Sequence, residues 1–501
     1  MKKILYFILL IYFIVFLNAQ ELPKFGGTLK VGMPGEIATI YPWEMTDSET
    51  FNVSQNIYEP LIRLKKDSAD IEPCLATKWI PTNNYKIWKI YLRKNVYFHD
   101  GTPFNAGAVI NSLSQSKNLN AKMKEIDDHL IEFSLDKPNA AFAISLSVEY
   151  YGIAGNATIK CYQEKCKNPV AIGTGPFKLQ KWESGNMIIL NANENYWDNR
   201  PYLDQIVYYP FKNNADMINA LKQRKIHLCS TIRPNDIPEI KSKPYLIFQS
   251  RPALSISYLG MNNQREPFTN KNVRIAISYA INRKELIKKY YLNGQAGFAA
   301  KSCLPPPMFS YNSDIPEREY DPVKAKKLLA EAGLEEGFKA TMLIPWTSRG
   351  YLPEPKLIAE DIKNDLAKIG IKVTIYAPAN MKEFREISIK GDFDFLLFGW
   401  IADTVDPNDF LSVLLTTPFI NSTNRIRWSN ERFDYLIEKA RGENYSERLK
   451  TYKDAQLLFY EEMPYIPLVN AMQIAAWNEK VKGFQLHPAS RFFLHQVWLS
   501  D

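Results

Sequence analysis

The chain has 501 residues, about three times the length of a typical domain, so two or three domains are expected. Hydrophobic residues make up 46% and charged residues 23%, a composition that is typical of a globular protein and excludes long disordered regions. The formal net charge is only +8, and no segment concentrates positive charge, so a nucleic-acid-binding protein is not expected.

The first nineteen residues have the layout of a secretory signal peptide. Lys2 and Lys3 precede an apolar stretch at 4–17, and the small Ala19 marks the predicted cleavage site. The apolar stretch is shorter than the ~20 residues that span a bilayer, which favours a cleaved leader over a membrane anchor. No cysteine lies near the site, so no lipid anchor is expected. The sequence therefore predicts an exported, periplasmic protein.

From residue 28 to about 260, alternating apolar residues bounded by Gly, Pro and Asn predict a mainly β region. A helix is predicted at 217–222. The predicted strands are 28–33, 85–92, 130–135, 177–182, 187–192 and 206–209.

Between residues 256 and about 478 the pattern changes to helices that alternate with strands. In the helix that starts at Asp321 and Pro322, Asp321 is the N-cap and Gly333 ends the helix. Strand–helix alternation indicates an α/β domain with a parallel sheet. The other predicted elements are helices at 271–290 and 354–369 and strands at 340–344, 373–376 and 393–398.

Two of these strands are expected to place a ligand site at one edge of the sheet, because ligands bind beyond the carboxyl ends of parallel strands. A fully extended dipeptide spans only ~7 Å, so Arg349 and Asp403 could hold the carboxylate and ammonium of one dipeptide. A surface position for Arg349 and a core position for Trp400 are the alternatives. The candidate residues after the two strands are Trp346, Arg349, Trp400, Ile401, Ala402 and Asp403.

A second aspartate in the same segment has a structural explanation. Asp406-Pro407 precedes a predicted helix at 409–415, so Asp406 is interpreted as the N-cap of that helix. We therefore predict that Asp403, and not Asp406, is the ligand carboxylate.

The five cysteines are too few for a disulfide framework in a chain of this length. Cys161 and Cys166 are close enough in sequence to form one disulfide, whereas Cys74, Cys229 and Cys303 are expected to be buried thiols.

Common catalytic signatures such as H-E-x-x-H, G-x-S-x-G and the P-loop do not occur in the sequence, and its five histidines lack metal-ligand spacing. No metal, cofactor or enzymatic activity is therefore expected. A secreted hydrolase whose catalytic residues lie far apart in sequence remains the alternative from another functional class.

Several longer stretches resemble the extracellular solute-binding proteins of bacterial ABC importers, in the dipeptide, oligopeptide and nickel-binding family (family 5), and most of all its dipeptide-binding members. The resemblance covers nearly the whole chain after the leader. It rests on YEPLIRLKKDSADIEPCLATKW (58–79), FHDGTPFNAGAVINS (98–112), GTGPFKLQKW…ANENYW (173–197), VRIAISYAINRKELI (273–287), YDPVKAKKLLAEAGL (320–334) and GWIADTVDPNDFL (399–411).

The resemblance implies an α/β fold of the two-lobe periplasmic-binding-protein clamshell type (type II-like), with an additional domain inserted in the first lobe. On this basis we expect a signal peptide at 1–19 and an inserted subdomain at 46–173. Lobe I is expected to combine 20–45, 174–258 and 478–501, and lobe II to comprise 259–477.

The resemblance also implies a function, namely capture of short peptides, with dipeptides favoured, by closure of the cleft. A monomer would then deliver the peptide to an ABC permease and its ATPase subunits, its only link to the membrane. Asp403 would bind the peptide ammonium and Arg349 its carboxylate. Nickel chelates, haem, glutathione and oligosaccharides are alternative ligands on the same scaffold. In two respects the sequence departs from typical dipeptide binders: the stretch 104–173 is shorter, and 416–428 lacks their cysteine-flanked segment.

Overall fold

A computed structural model describes residues 21–229 and 231–501. The predicted signal peptide at 1–19 lies outside the described residues. Among the helices of the described part, none is long and apolar enough to cross a bilayer.

The first half of the described chain is mainly β, as predicted. The strands predicted at 28–33 and 187–192 have the predicted bounds, and the others differ at their ends by at most two residues. The elements are β1 (Thr28–Met33), α1 (Ser48–Ser54), β2 (Ile62–Leu64), β3 (Ile71–Pro73), β4 (Ala76–Thr82), β5 (Ile87–Leu92), α2 (Ala106–Leu113), β6 (Lys122–Asp127), β7 (Leu130–Ser134), α3 (Phe142–Ser145), α4 (Asn156–Glu164), β8 (Phe177–Glu183), β9 (Met187–Ala192), β10 (Gln205–Pro210), α5 (Asn214–Lys222), β11 (Leu228–Cys229), α6 (Ile237–Lys241) and β12 (Leu246–Pro252).

The second half alternates helices with strands, also as predicted. The helix predicted from Pro322 begins there, and the Asp321 side chain caps it by accepting the Lys324 N–H. The elements are β13 (Ser255–Met261), α7 (Lys271–Ala280), α8 (Arg283–Tyr290), β14 (Gly297–Ala299), α9 (Pro322–Glu331), β15 (Lys339–Leu343), α10 (Pro355–Ala367), β16 (Lys372–Tyr376), α11 (Met381–Lys390), β17 (Phe395–Ile401), α12 (Asn408–Leu415), α13 (Glu431–Ala440), α14 (Tyr445–Glu462), β18 (Tyr465–Asn478), β19 (Val481–Lys482) and β20 (Trp498–Leu499).

The single helix predicted at 271–290 is wrong, because two helices occupy this segment. Ile281 has an extended backbone, and the Asn282 side chain accepts the Glu285 N–H at 3.1 Å, so it caps α8 as a new helix. Apolar periodicity continues across the break, which is why the sequence pattern does not reveal it.

A sheet of twelve strands runs through both lobes. Its main path has the order β16-β15-β17-β13-β18-β11-β1-β10-β9-β8, and β12 and β14 pair with β18 outside this path. The long strand β18 belongs to both lobes, because its first half pairs with β13 and its second half with β12. The other connection between the lobes runs through Ala253 and Leu254, between β12 and β13. The boundary expected between residues 258 and 259 therefore falls inside β13, and that between 477 and 478 at the end of β18.

Both faces of the lobe II sheet are buried. Along β17, Phe395 and Leu397 pack into one apolar cluster, while Leu396 and Phe398 pack into another on the opposite face. This arrangement explains the continuous apolar run in the sequence, since neither face of the strand meets water.

The inserted segment has its own sheet, β4-β5-β7-β6, and its own core. Buried apolar residues between Leu61 and Ile153 form this core, whereas Tyr58 and Ala154 pack into the core of lobe I. The apolar core of the insert is thus shorter than the subdomain expected at 46–173.

The two lobes also meet away from the chain crossings. Ala140 of the insert donates its N–H to the carbonyl of Arg441 in lobe II at 2.8 Å. Leu64 of the insert belongs to the same buried apolar cluster as Phe398 and Val405. The lobes are therefore closed on one another, and the edge of the lobe II sheet lies against lobe I.

Candidate ligand-binding site between the lobes

The strands β15 and β17 are parallel neighbours, with Leu343 opposite Leu396. Their carboxyl ends therefore meet at one edge, as the sequence analysis required. Strand β17 starts two residues later than predicted and ends three residues later, because it also pairs with β13, where Ile401 lies opposite Ser255. Trp400 and Ile401 consequently belong to the strand, and Asp403 is the second residue after it.

Asp403 lies in a narrow gap between the lobes. The gap is lined from lobe II by Ala402 and Asp403, and from the other side by Ser147, Glu149 and Arg491. Burial between the two lobes raises the pKa of Asp403, and the positive charge of Arg491 acts in the opposite direction. Asp403 thus lines the gap from the lobe II side while its side chain remains exposed to water.

Asp409 is a second acid in this site that the sequence analysis missed. Its Oδ2 accepts the Asp403 N–H at 2.8 Å and the Trp400 Nε1–H at 3.4 Å. Burial, reinforced by the neighbouring Asp403, raises the pKa of Asp409 to about 8. Near neutral pH Asp409 is therefore protonated, and its Oδ2 holds the Asp403 backbone and the Trp400 indole in place. The sequence analysis placed Asp409 at the start of the predicted helix at 409–415 and therefore assigned it no role in the site.

The opposite wall of the gap is held by a buried ion pair between Arg491 and Glu149. Arg491 also donates to the carbonyl of Ala489 at 3.1 Å and lies 4.9 Å from the ring centre of Phe51. These contacts fix the guanidinium on the lobe I side. Burial raises the pKa of the neighbouring Tyr150, and the charge of Asp403 raises it further, which places Tyr150 near the acids as well.

Arg349 lies in the turn after β15, partly buried. Its guanidinium carbon stacks 4.4 Å from the ring centre of Trp346, and its backbone pairs with Leu352. Nε and Nη2 of Arg349 are buried and have no hydrogen-bond partner among the described residues. Trp346 in turn packs on Phe384, 5.9 Å between ring centres. The turn thus presents a guanidinium that is fixed by an aromatic ring but not neutralised.

Arg425 is a second arginine of this kind, and the sequence analysis missed it. It lies 4.9 Å above the ring of Phe398, and its Nε has no partner in the described part of the chain. Burial lowers the pKa of Arg425, whereas Tyr258 and Tyr351 raise it. The loop that carries Arg425 has no periodic pattern, so no signal in the sequence distinguishes this arginine from a surface residue.

The remaining predicted residues lie at the same edge but differ in exposure. Ile401 is 50% exposed, whereas Ala402 is buried and donates its N–H to the carbonyl of Leu254 at 2.9 Å. This hydrogen bond ties the end of β17 to the segment that connects the lobes.

The prediction that Asp406 is the helix N-cap is wrong in its main point. Pro407 is the N-cap residue of α12, and Pro407 itself provides no side-chain cap. Asp406 does accept the Asn408 N–H at 3.0 Å, but it is buried and pairs with Arg448 at 2.6 Å. Its main role is a buried ion pair with a residue 42 positions away, which local spacing cannot reveal.

The expected disulfide between Cys161 and Cys166 is not formed, since both thiols are free. Burial raises the pKa of Cys161, but hydrogen bonds with Cys166 and Tyr41 lower it overall. The Cys161 thiol accepts a hydrogen bond from the Tyr41 hydroxyl at 3.7 Å and donates to the carbonyl of Asn168 at 3.6 Å. Cys74, Cys229 and Cys303 are buried, as predicted.

A larger cavity of about 620 Å³ lies beside the gap, between lobe I and the insert. It shares Leu64, Ser147 and Glu149 with the gap, but none of the predicted ligand residues lines it. Its buried carboxylate, Glu59, accepts hydrogen bonds from Tyr196, Trp197 and Thr174. This carboxylate is internally satisfied, whereas Asp403 forms no ion pair with the described residues and Nε and Nη2 of Arg349 have no hydrogen-bond partner there, so the edge of the lobe II sheet is the better candidate site. Within residues 21–229 and 231–501, no group of three or more His, Cys, Asp or Glu residues could hold a metal ion.

Comparison with known proteins identifies the family of the chain. Residues 70–422 match the model described as bacterial extracellular solute-binding proteins, family 5 Middle. Heme-binding protein A of Haemophilus influenzae is 32% identical, over 89% of this chain and 88% of its own length. The chain belongs to family 5.

Other family 5 proteins match over similar lengths. The dipeptide-binding protein of Escherichia coli is 28% identical, over 91% of both chains. The structure of the dipeptide-binding protein of Pseudoalteromonas sp. SM9913 in complex with Met-Leu is 26% identical, with a TM-score of 0.79 over 95% of this chain and all of that one. The predicted α/β two-lobe fold and the predicted class of solute-binding protein are thereby confirmed.

Proposed function

We propose that this family 5 protein captures short peptides, with dipeptides favoured, by closing its lobes around them. The observation that carries the proposal is the pair of opposite charges at one sheet edge, the carboxylate of Asp403 and the unpartnered guanidinium of Arg349. A short peptide is a zwitterion whose two ends carry the complementary charges. Relatives named as dipeptide-binding proteins support this ligand class.

Each terminus of the peptide has a matching group in this proposal. Asp403 binds the ammonium, and the protonated Asp409 keeps the acid end at a single negative charge. Arg349 binds the carboxylate, with its guanidinium plane held by Trp346. Closure of the lobes around the peptide excludes water from its two ends, which strengthens both ion pairs. Trp400, Ile401 and Ala402 complete the wall on the lobe II side.

The proposal extends to location and partners. The leader at 1–19 directs the chain to the periplasm and is cleaved after Ala19. The mature protein acts as a monomer and, in its closed form, docks on an ABC permease driven by ATPase subunits. It performs no catalysis. The residue ranges expected for the two lobes and the insert remain part of the proposal, with the crossings placed at Leu254 and within β18.

Haem is the main competing ligand, because one relative is named a heme-binding protein. No histidine of the described residues lines the gap between the lobes. The opposite charges at the sheet edge suit a zwitterion better than a ligand with two carboxylates and no cation.

A thermal-shift screen tests the ligand class. Mature protein from Gln20 onward is stripped of ligand by mild denaturation and refolding, then mixed with dipeptides, tripeptides, amino acids, glutathione, oligosaccharides, haem or a nickel chelate. Dipeptides should raise the melting temperature, because a ligand of the folded state stabilises it, and blocking either terminus should abolish the shift. A shift with haem, sugar or metal chelate alone would contradict the peptide proposal. Cleavage of the peptides during incubation would instead favour a hydrolase.

A further inference from the structure

Buried arginines in this structure almost all have a partner. Arg425 differs, as does Arg349, because no carboxylate in the described part of the chain forms an ion pair with it and its buried Nε has no hydrogen-bond partner there. The arginines with partners are Arg274 with Glu462, Arg283 with the carbonyls of Pro467 and Arg318, Arg448 with Asp406, and Arg491 with Glu149.

An unpaired cation in a partly buried position is unfavourable unless an anion joins it, since burial removes water from the charge. Aromatic rings hold Arg425 in place, with Phe398 at 4.9 Å and Phe384 at 5.9 Å. These rings orient the guanidinium without neutralising it. The local structure therefore maintains a positive charge in a fixed position, as Trp346 does for Arg349.

Arg425 lies beside the proposed peptide site. Phe398, beneath its guanidinium, and Trp400, which donates to Asp409, are alternate residues on the same face of β17. Both Arg425 and Arg349 act electrostatically on the buried Tyr351, lowering its pKa against the larger effect of burial. Both arginines thus lie near Tyr351, at the same carboxyl edge as Asp403.

We infer that Arg425 forms a second anion subsite, which makes the protein selective for short peptides with an acidic side chain. The inference rests on the proposed function and specifies its ligand class. A dipeptide such as Ala-Glu carries two carboxylates and one ammonium. Arg349, Arg425 and Asp403 supply two cations and one anion, so the charges of the site and the ligand are complementary.

The test is calorimetric titration of ligand-stripped protein with Ala-Glu and Ala-Gln, which have nearly the same shape and differ in side-chain charge. The wild type should bind Ala-Glu at least 10-fold more tightly than Ala-Gln. In Arg425→Gln this ratio should fall to near 1. Arg427→Gln is the matched control, because Arg427 lies in the same loop but donates to Gln264 and the carbonyl of Ile389. The control should keep the wild-type ratio.

The outcomes separate the inference from the proposed function. If the wild type binds both peptides within twofold of each other, or if Arg425→Gln weakens both equally, the acidic subsite is wrong and peptide capture stands. If neither peptide binds, both proposals fail. The wild-type ratio needs no variant, so a folding defect in Arg425→Gln, detected by circular dichroism, leaves the test intact.

Discussion

Two groups of buried arginines in lobe II have opposite surroundings. Arg448 is almost fully buried and donates to Asp406 at 2.6 Å and to the Tyr452 hydroxyl at 2.9 Å. Arg349 and Arg425 are less buried, stack on aromatic rings, and have buried nitrogens with no partner in the described residues. The charge of Arg448 is neutralised within the chain by Asp406, whereas the charges of Arg349 and Arg425 are neutralised only when an anion binds.

The two aspartates of the segment after β17 differ in the same way. Asp406 is buried within lobe II against Arg448, whereas Asp403 faces the gap between the lobes. A buried charge is tolerated only when it is paired, so the pairing state separates structural charges from charges that await a ligand. Composition and spacing do not make this distinction, because both aspartates lie in one short polar segment.

The largest expected effect comes from breaking the buried ion pair between Asp406 and Arg448. Asp406→Asn should lower the free energy of unfolding by about 3–5 kcal/mol, because it leaves the Arg448 charge buried and unpaired. Urea denaturation followed by circular dichroism measures this change. Asp434→Asn, at a partly buried carboxylate that accepts the Thr417 N–H, is a control without a buried ion pair and should lose less.

A double variant completes this test. Replacing both partners with apolar residues, as in Asp406→Leu with Arg448→Met, removes the unpaired charge and should recover part of the lost stability. If Asp406→Asn alone is as stable as the wild type, the contrast between paired and unpaired arginines has no energetic basis.

Removal of the unpaired Arg349 should weaken ligand binding and leave the stability of the ligand-free protein unchanged. Arg349→Ala should weaken dipeptide binding by about 2–5 kcal/mol, the range for leaving a buried ligand charge unpaired. The same variant should not lower the free energy of unfolding without ligand, since Arg349 has no protein anion to lose. Titration calorimetry and urea denaturation on one sample give both values.

Arg432→Ala, at an exposed arginine of α13, is the control for Arg349→Ala and should change neither quantity. Normal dipeptide binding by both Arg349→Ala and Asp403→Ala would contradict the assignment of the peptide ends. A large loss of stability in ligand-free Arg349→Ala would show that this arginine is structural after all.

Features set by local sequence could be predicted. The strand bounds of β1 and β9, the cap at Asp321 and the meeting of β15 and β17 at one edge all follow from periodicity and turn residues close in the chain. The position of Asp403 beyond the sheet follows from the same reasoning.

Features set by distant contacts could not be predicted. The partner of Asp406 is 42 residues away, and β18 joins the two lobes because different halves of one strand pair with β13 and β12. Arg425 lies in an irregular loop, and only its tertiary position over Phe398 distinguishes it. The raised pKa of Asp409 likewise depends on packing between elements that the sequence does not place together.

The last prediction concerns Asp409 and depends on pH. Because its pKa is raised to about 8 from 3.8, the folded chain holds a proton between these values that the unfolded chain has lost. Stability from this group is therefore full below about pH 4 and declines as pH rises toward 8, by up to about 1.4 kcal/mol per pH unit.

Asp409→Asn keeps an oxygen acceptor for the Asp403 N–H but cannot ionise, so this part of the decline should disappear. Urea denaturation at pH 5 and pH 8 compares the two proteins. Glu386→Gln, at an exposed carboxylate of α11, should retain the wild-type pH dependence. Identical slopes in the wild type and Asp409→Asn would mean that Asp409 is ionised in the folded protein, and that the acid end of the site carries two charges rather than one.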